Sequence, residues 1–217
     1  MTASSSSTAS AIPADPGARA PRSGLRARWR VIDIVVASVL GVASGLVFVL
    51  WNTASVPVAA AFQPVLPGLQ ALAGGGWLFA GVLTGIVIRK PGAALYGELL
   101  AAFVSMLVGN VWGVSTLLSG LTQGLGAELV LLVFLYANWR AYVAVLAGMG
   151  AGLGMAVTDL VTYYVGSSPL FIAVYTIASL VTGAVVAGLL SWLVARALAR
   201  TGALSRFASG RDTAARV

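Results

Sequence analysis

The sequence predicts an all-α integral membrane protein, a bundle of six transmembrane helices with both termini in the cytoplasm. Three observations predict it. The chain is 59 % hydrophobic and only 9 % charged, with a mean hydropathy of +0.96, whereas soluble domains carry about 25 % charged residues. Its apolar runs are long and continuous, not the alternating ten-residue segments of a membrane β-barrel. Finally, the net charge of +7 gathers where span ends meet anionic lipid. Apart from Arg89, Lys90 and Arg140, every basic residue precedes Val31 or follows Leu193, which excludes a nucleic-acid patch and fits flanks of membrane spans.

Residues 1–24, rich in Ser, Ala, Pro and Thr, are expected to form a disordered cytoplasmic tail. They lack the charged start, short apolar core and cleavage site of a signal peptide. The membrane domain is expected over 25–200, followed by a cytoplasmic tail over 201–217. Arg19, Arg22, Arg26, Arg28 and Arg30 precede the first span, which runs from Val31 to about Trp51. Further spans fall at about 72–88, 92–110, 114–136, 141–164 and 170–195, each near the ~20 residues that a helix needs to cross hydrocarbon. The breaks agree: Pro57, Pro64, Pro67 and Gly74–Gly76, then Arg89-Lys90-Pro91, then Gly166-Ser167-Ser168-Pro169. The connections with basic residues alternate with uncharged ones, and by the positive-inside rule both ends and the basic loops are cytoplasmic. The apolar stretch Asn52–Ala73 is expected to lie on the outer face as a lid, a re-entrant cap or an interfacial helix, since in water it would expose a large apolar patch.

Several chemistries are excluded. Cysteine and histidine are absent, so disulfides, thiolate metal sites, a Ser-His protease and a zinc protease have no basis. The single lysine, Lys90, is followed by Pro91 and belongs to no phosphate-binding loop. Gly150, Gly152 and Gly154 form a GxGxG run inside a span, where close helix packing explains it. No catalytic, metal or cofactor residue is predicted, and the chain is not expected to be an enzyme.

What remains is an unusual pair of acids. Between Pro91 and Tyr136 the only charges are Glu98 and Glu128, each deep in an apolar stretch. Intramembrane carboxylates are expensive and mark functional sites by default. One reading is structural, a protonated acid bonded across helices. The other is a carboxylate that neutralises a cationic ligand. Asp159, near the outer end of the fifth span, is expected simply to reach water, and Asp33 to start a helix or pair with the neighbouring arginines. The outer span ends collect Trp51, Asn52, Trp77, Asn110, Trp112, Tyr163 and Tyr164, with Gln123 deeper. Tryptophan and tyrosine also form interfacial belts, but belts have no need of amides. Aromatic faces, amides and a carboxylate suit a flat, polar, positively charged heterocycle. Small residues at four-residue spacing, Ala37, Gly41 and Gly45 in span one and Ala144, Gly148, Gly152 and Ala156 in span five, mark faces of close helix approach. The first stripe could equally serve as a docking surface for another membrane protein.

The run from Arg89 to Val130 carries PGAAL-x-GE-x-x-AA, GN-x-WG and GL-x-QGLGAE. It resembles the YkoE family, substrate-binding S components of energy-coupling factor (ECF) transporters for thiamine or its hydroxymethylpyrimidine precursor, over roughly Arg30–Arg200. The resemblance implies a vitamin-capturing subunit of the cell membrane, without an ATPase of its own, that binds at the outer face. It further implies a transmembrane coupling protein and two ABC ATPases as partners, with Ala37, Gly41 and Gly45 as the docking stripe. Glu98, Asn110, Trp112, Gln123 and Glu128 lie in the matching motifs and are the implied binding residues; Trp51, Asn52, Tyr163 and Tyr164 join them by position alone. The alternative class is a stand-alone secondary or proton-coupled carrier of a cationic small molecule using Glu98 and Glu128. No inverted repeat supports it.

Overall fold

In the computed structural model, residues 28–202 together with Leu204 and Ser209 are described. The two predicted tails therefore lie largely outside the described residues, as do Arg19, Arg22 and Arg26. The described chain is a helical bundle. Helix α1 spans Val31–Phe62 and a 3-10 helix follows over Leu69–Trp77; α2 spans Phe79–Ile88, α3 Ala93–Val108, α4 Ser115–Val133 and α5 Ala141–Thr162. Helix α6, Pro169–Thr182, continues through a π-helical segment, Gly183–Leu190, into α7, Ser191–Arg200.

Four helical stretches are long and apolar enough to cross a membrane: α1, α4, α5 and the continuous Pro169–Arg200. The 3-10 helix and α2, bent by 42°, make a fifth if taken as one span. Helix α3, with 16 residues, is apolar but shorter. Each expected segment contains a helix, and α1 differs most in extent. Helix α1 does not stop at Trp51 but runs through Pro57 to Phe62. A proline inside a helix removes one hydrogen bond and crowds the preceding turn, yet the alanine-rich residues around Pro57 favour helix strongly enough to carry it through. At 1.5 Å per residue α1 is about 48 Å long, well beyond a hydrocarbon core of about 30 Å. The apolar stretch Asn52–Ala73 is thus α-helix to Phe62, turns over 63–68 and 3-10 helix from Leu69, and it closes one end of the bundle.

Helix α2 is the axis of the fold, with every residue from Ala80 to Ile88 buried. Around it the helices meet through glycine. A Cβ on Gly126 would lie 2.0 Å from the Gly150 carbonyl oxygen, and one on Gly152 2.2 Å from that of Ser179. The GxGxG run is therefore a packing device that brings α5 to backbone contact with α4 and α6. The small stripe of α1 packs in the same way. Ala37 is fully buried, and Cβ atoms on Gly41 and Gly45 would meet Leu100 and Val104 of α3 at 2.6–3.0 Å. The stripe is consumed inside the α1–α3 interface. The outward face of α1 carries bulky residues instead, among them Val39, Leu46 and Leu50.

Charge gathers at one end. Asp33, buried in the first turn of α1, accepts from the Arg30 backbone N–H at 2.8 Å, from the Arg30 guanidinium at 3.1 Å and from Lys90 Nζ at 2.5 Å. Lys90 also donates to the Arg28 carbonyl, and the Trp29 indole N–H donates to that of Pro91. The start of α1 is thereby tied to the turn between α2 and α3. An acid in the first turn also complements the helix dipole.

Candidate ligand site

The opposite end of the bundle encloses a cavity of about 620 Å3, within the range of small-molecule sites. The second half of α1 supplies one wall through Asn52, Ser55 and Gln63, and the 3-10 helix another through Gln70, Gly74 and Trp77. Gly74 brings that helix against Met155, whose sulfur would lie 2.3 Å from a Cβ there. Helices α3 to α6 complete the lining with Glu98, Ser105, Trp112, Gln123, Asp159, Tyr163, Tyr164 and Tyr175.

Glu98 sits at the deep end. It lies ten residues before the C-terminus of α3, about 15 Å along the helix from that end. Its Oε2 accepts from the Gly81 backbone N–H at 2.6 Å. Glycine is required at Gly81, because a Cβ there would lie 2.8 Å from the Ala94 carbonyl and 3.0 Å from Glu98 Oε2. Gly120 and Gly124 of α4 close over the same part of α3. Among the described residues, the other carboxylate oxygen, Oε1, is buried without a hydrogen-bond partner. Buried polar atoms are almost always satisfied, so an orphan on a residue lining a cavity marks a place for a donor from outside the chain. Gln123, 6 % exposed, lines the same cavity and makes no side-chain hydrogen bond within the described residues.

Asp159 lies three residues before the end of α5, much nearer the mouth. Its Oδ2 accepts from the Tyr175 hydroxyl at 2.6 Å. The rings of Tyr164 and Tyr175 are 5.1 Å apart, and Tyr164 lies 5.0 Å from Phe171. Across the mouth, Trp77 and Trp112 meet edge to face at 5.4 Å. Asn52 fixes this pair: its Oδ1 accepts from the Trp77 indole at 2.9 Å while its Nδ2 donates to Ser105 Oγ at 3.1 Å. Tyr163 shares a 2.7 Å hydrogen bond with Ser115, joining α5 to the start of α4. The lining holds two carboxylates and six aromatic side chains but no lysine or arginine. Such an enclosure offers carboxyl oxygens and ring faces to a cationic or amino-bearing ligand.

Of the nine expected binding residues, Glu98, Gln123, Trp112, Asn52, Tyr163 and Tyr164 line this cavity. Three do not. Trp51 packs on Gly76 and donates to the Ala73 carbonyl at 2.9 Å, fastening the 3-10 helix to α1. Asn110 accepts from the N–H groups of Trp112 and Gly113 and from the Thr116 hydroxyl, which shapes the loop that carries Trp112. Glu128 stands at the charged end. It accepts from the N–H groups of Gly92 at 2.6 Å, Ala94 at 3.0 Å and Leu95 at 3.3 Å, and from the Tyr136 hydroxyl. It caps the start of α3, where the helix dipole favours an anion. The sequence reading passed over Asp159 and Tyr175. Asp159 could have been found by the rule that singled out Glu98, an acid within a span, and its distance from the span end misled. Among the described residues no cluster of three His, Cys, Asp or Glu could hold a metal.

A helical membrane bundle with an enclosed cavity lined by carboxyl groups and aromatic rings at one end, and no nucleotide-binding loop, has the build of a transporter's substrate-binding subunit. Comparison places it in a class. The fold matches a solved structure described as an S-component of an ECF transporter, with a TM-score of 0.75, 32 % identity, and coverage of 87 % of this chain and 95 % of that one. Residues 32–154 match the family model described as the permease component of an ABC-type cobalt transport system. A Bacillus subtilis (strain 168) protein, YkoE, named as a candidate HMP/thiamine permease, is 37 % identical over 188 residues, covering 85 % of this chain and 92 % of that protein. The chain belongs to the YkoE family of ECF-transporter S components. It is a multi-pass membrane transport protein and not an enzyme.

Proposed function

We propose that the chain captures thiamine or its hydroxymethylpyrimidine precursor in the cavity and hands it to a transmembrane coupling protein driven by two ABC ATPases. The observation that carries this reading is the lining: Glu98 with an unsatisfied oxygen, Asp159, free amide capacity at Gln123, aromatic walls and no basic side chain. Thiamine presents a permanent positive charge and an aminopyrimidine edge; the precursor presents the edge alone. Carboxylate oxygens accept from the amino group, and ring faces receive the thiazolium. The name of the Bacillus subtilis relative supports the same ligand class.

In this reading α3 is the sixth span and both termini are cytoplasmic. The basic end, with Arg28, Arg30, Arg89, Lys90 and Arg140, then faces inward, and the cavity opens outward. The test is a titration of the purified, detergent-solubilised protein with thiamine and with hydroxymethylpyrimidine, followed by quenching of its six tryptophans. Saturable binding at low micromolar concentration or tighter, without a partner protein, is expected for at least one ligand. No saturation by either, in protein with an intact cooperative melt, would overturn the assignment.

A further inference from the structure

A second cluster lies at the charged end, away from the cavity and unrelated to the ligand. The Arg196 guanidinium of α7 rests over the Trp192 ring at 4.5 Å from its centroid, and the Arg89 guanidinium over the Trp139 ring at 5.0 Å. The two indoles are themselves joined, with Trp192 Nε1–H donating to the Trp139 carbonyl at 3.2 Å. Trp139 precedes Arg140, which is exposed. Two guanidinium groups are thus mounted on two linked indoles, with a third arginine beside them.

Arginine is usually held in place by a carboxylate that spends its donors. Arg196 is held by a ring face, which orients the guanidinium plane while leaving its N–H fork available. Among the described residues no acidic side chain pairs with Arg196 or Arg140, and Asp33 pairs with Arg30 and Lys90. Glu128, the acid nearest Arg140 along the chain, already accepts four donors. The height of the cluster matters as well. The continuous helix Pro169–Arg200 has 32 residues, about 48 Å, against about 30 Å of hydrocarbon. With Pro169 at the outer edge of the hydrocarbon, as in the orientation proposed above, its last dozen residues, which include Trp192 and Arg196, reach the opposite head-group layer. Tryptophan is at home at that level, and the acceptors found there are lipid phosphates.

We propose that Arg196, with Trp192, Trp139 and Arg140, forms a binding site for the phosphate of an anionic lipid head group. The fork donates two hydrogen bonds to phosphate oxygens, and the indoles sit beside the glycerol region. This goes beyond vitamin capture, and its failure would leave that reading intact. The test measures thermal stability of the detergent-solubilised protein with added phosphatidylglycerol, phosphatidylcholine or inorganic phosphate. Phosphatidylglycerol is expected to raise Tm by several degrees, and the other two to leave it nearly unchanged. Arg196→Gln should lose at least half of that shift, and Arg196→Lys, which keeps the charge but not the fork, an intermediate share. Arg28→Gln, an arginine on the first helix's flank, where α1 does not pack against α7, should keep the shift. Thiamine affinity, read on the same samples, should be unaffected by any of the three variants. An equal response to phosphatidylcholine, or equal losses in Arg28→Gln and Arg196→Gln, would overturn the site in favour of general surface charge. An equal response to inorganic phosphate would overturn the lipid as the source of the phosphate.

Discussion

Glu98 and Glu128 belong to helices packed against each other and are almost equally buried, at 1 % and 5 % exposure. Their surroundings differ. Four donors converge on Glu128, three of them backbone N–H groups at the start of α3. Glu98 has a single donor, the N–H of Gly81, and one oxygen with nothing to accept. Burial alone does not distinguish a carboxylate saturated by the fold from one with an acceptor to spare. The count of donors already in place does. At the charged end acids are saturated, as Asp33 is by Arg30 and Lys90. At the cavity end they are left with capacity to spare.

This contrast can be broken by substitutions that should separate stability from affinity. The largest effect on stability is expected for Asp33→Ala, which strands a mostly buried Lys90; removing one partner of a buried ion pair costs about 3 kcal/mol or more, and the melting temperature should drop by many degrees. Glu128→Gln comes next. It replaces an anion at a helix start and weakens several charge-assisted bonds, for a loss of about 2 kcal/mol, while protein that folds should bind ligand as before. Glu98→Gln should do the reverse: a melting temperature close to that of the parent and an affinity for thiamine weaker by about tenfold, equivalent to about 1.4 kcal/mol. Asp159→Asn should weaken thiamine binding by a smaller factor, because the Tyr175 hydroxyl can still donate to the amide oxygen. The smallest effect is expected for Trp51→Phe, which removes one hydrogen bond to Ala73 worth about 1 kcal/mol and should leave affinity nearly unchanged. A Trp51→Phe variant that lost binding outright would show that the 3-10 helix, and not the carboxylates, governs the cavity.

Much of this arrangement was legible in the residues. Hydropathy and the placement of arginine marked the helices, and the scarcity of charge in the middle of the chain drew attention to Glu98 before any contact was known. The limits have physical causes. Sequence gives the depth of an acid in a span but not the donors facing it, so Glu98 and Glu128 looked alike. Small residues mark a close approach without naming the partner, and within the chain Gly41 and Gly45 meet Leu100 and Val104 of α3. Pro57 read as a stop, yet one lost hydrogen bond did not outweigh the helix preference of its neighbours. Asp159 lies near a span end, which suggests contact with water, whereas its partner, Tyr175, comes from the following helix.

The measurement that tests the central claim most directly is thiamine titration of Glu98→Gln and Glu128→Gln side by side, each with its thermal melt. The account predicts weakened binding with a parental melt for Glu98→Gln, and a lowered melt with parental affinity for Glu128→Gln. Unchanged affinity in folded Glu98→Gln protein would contradict it, since the unsatisfied oxygen would then have no ligand to meet.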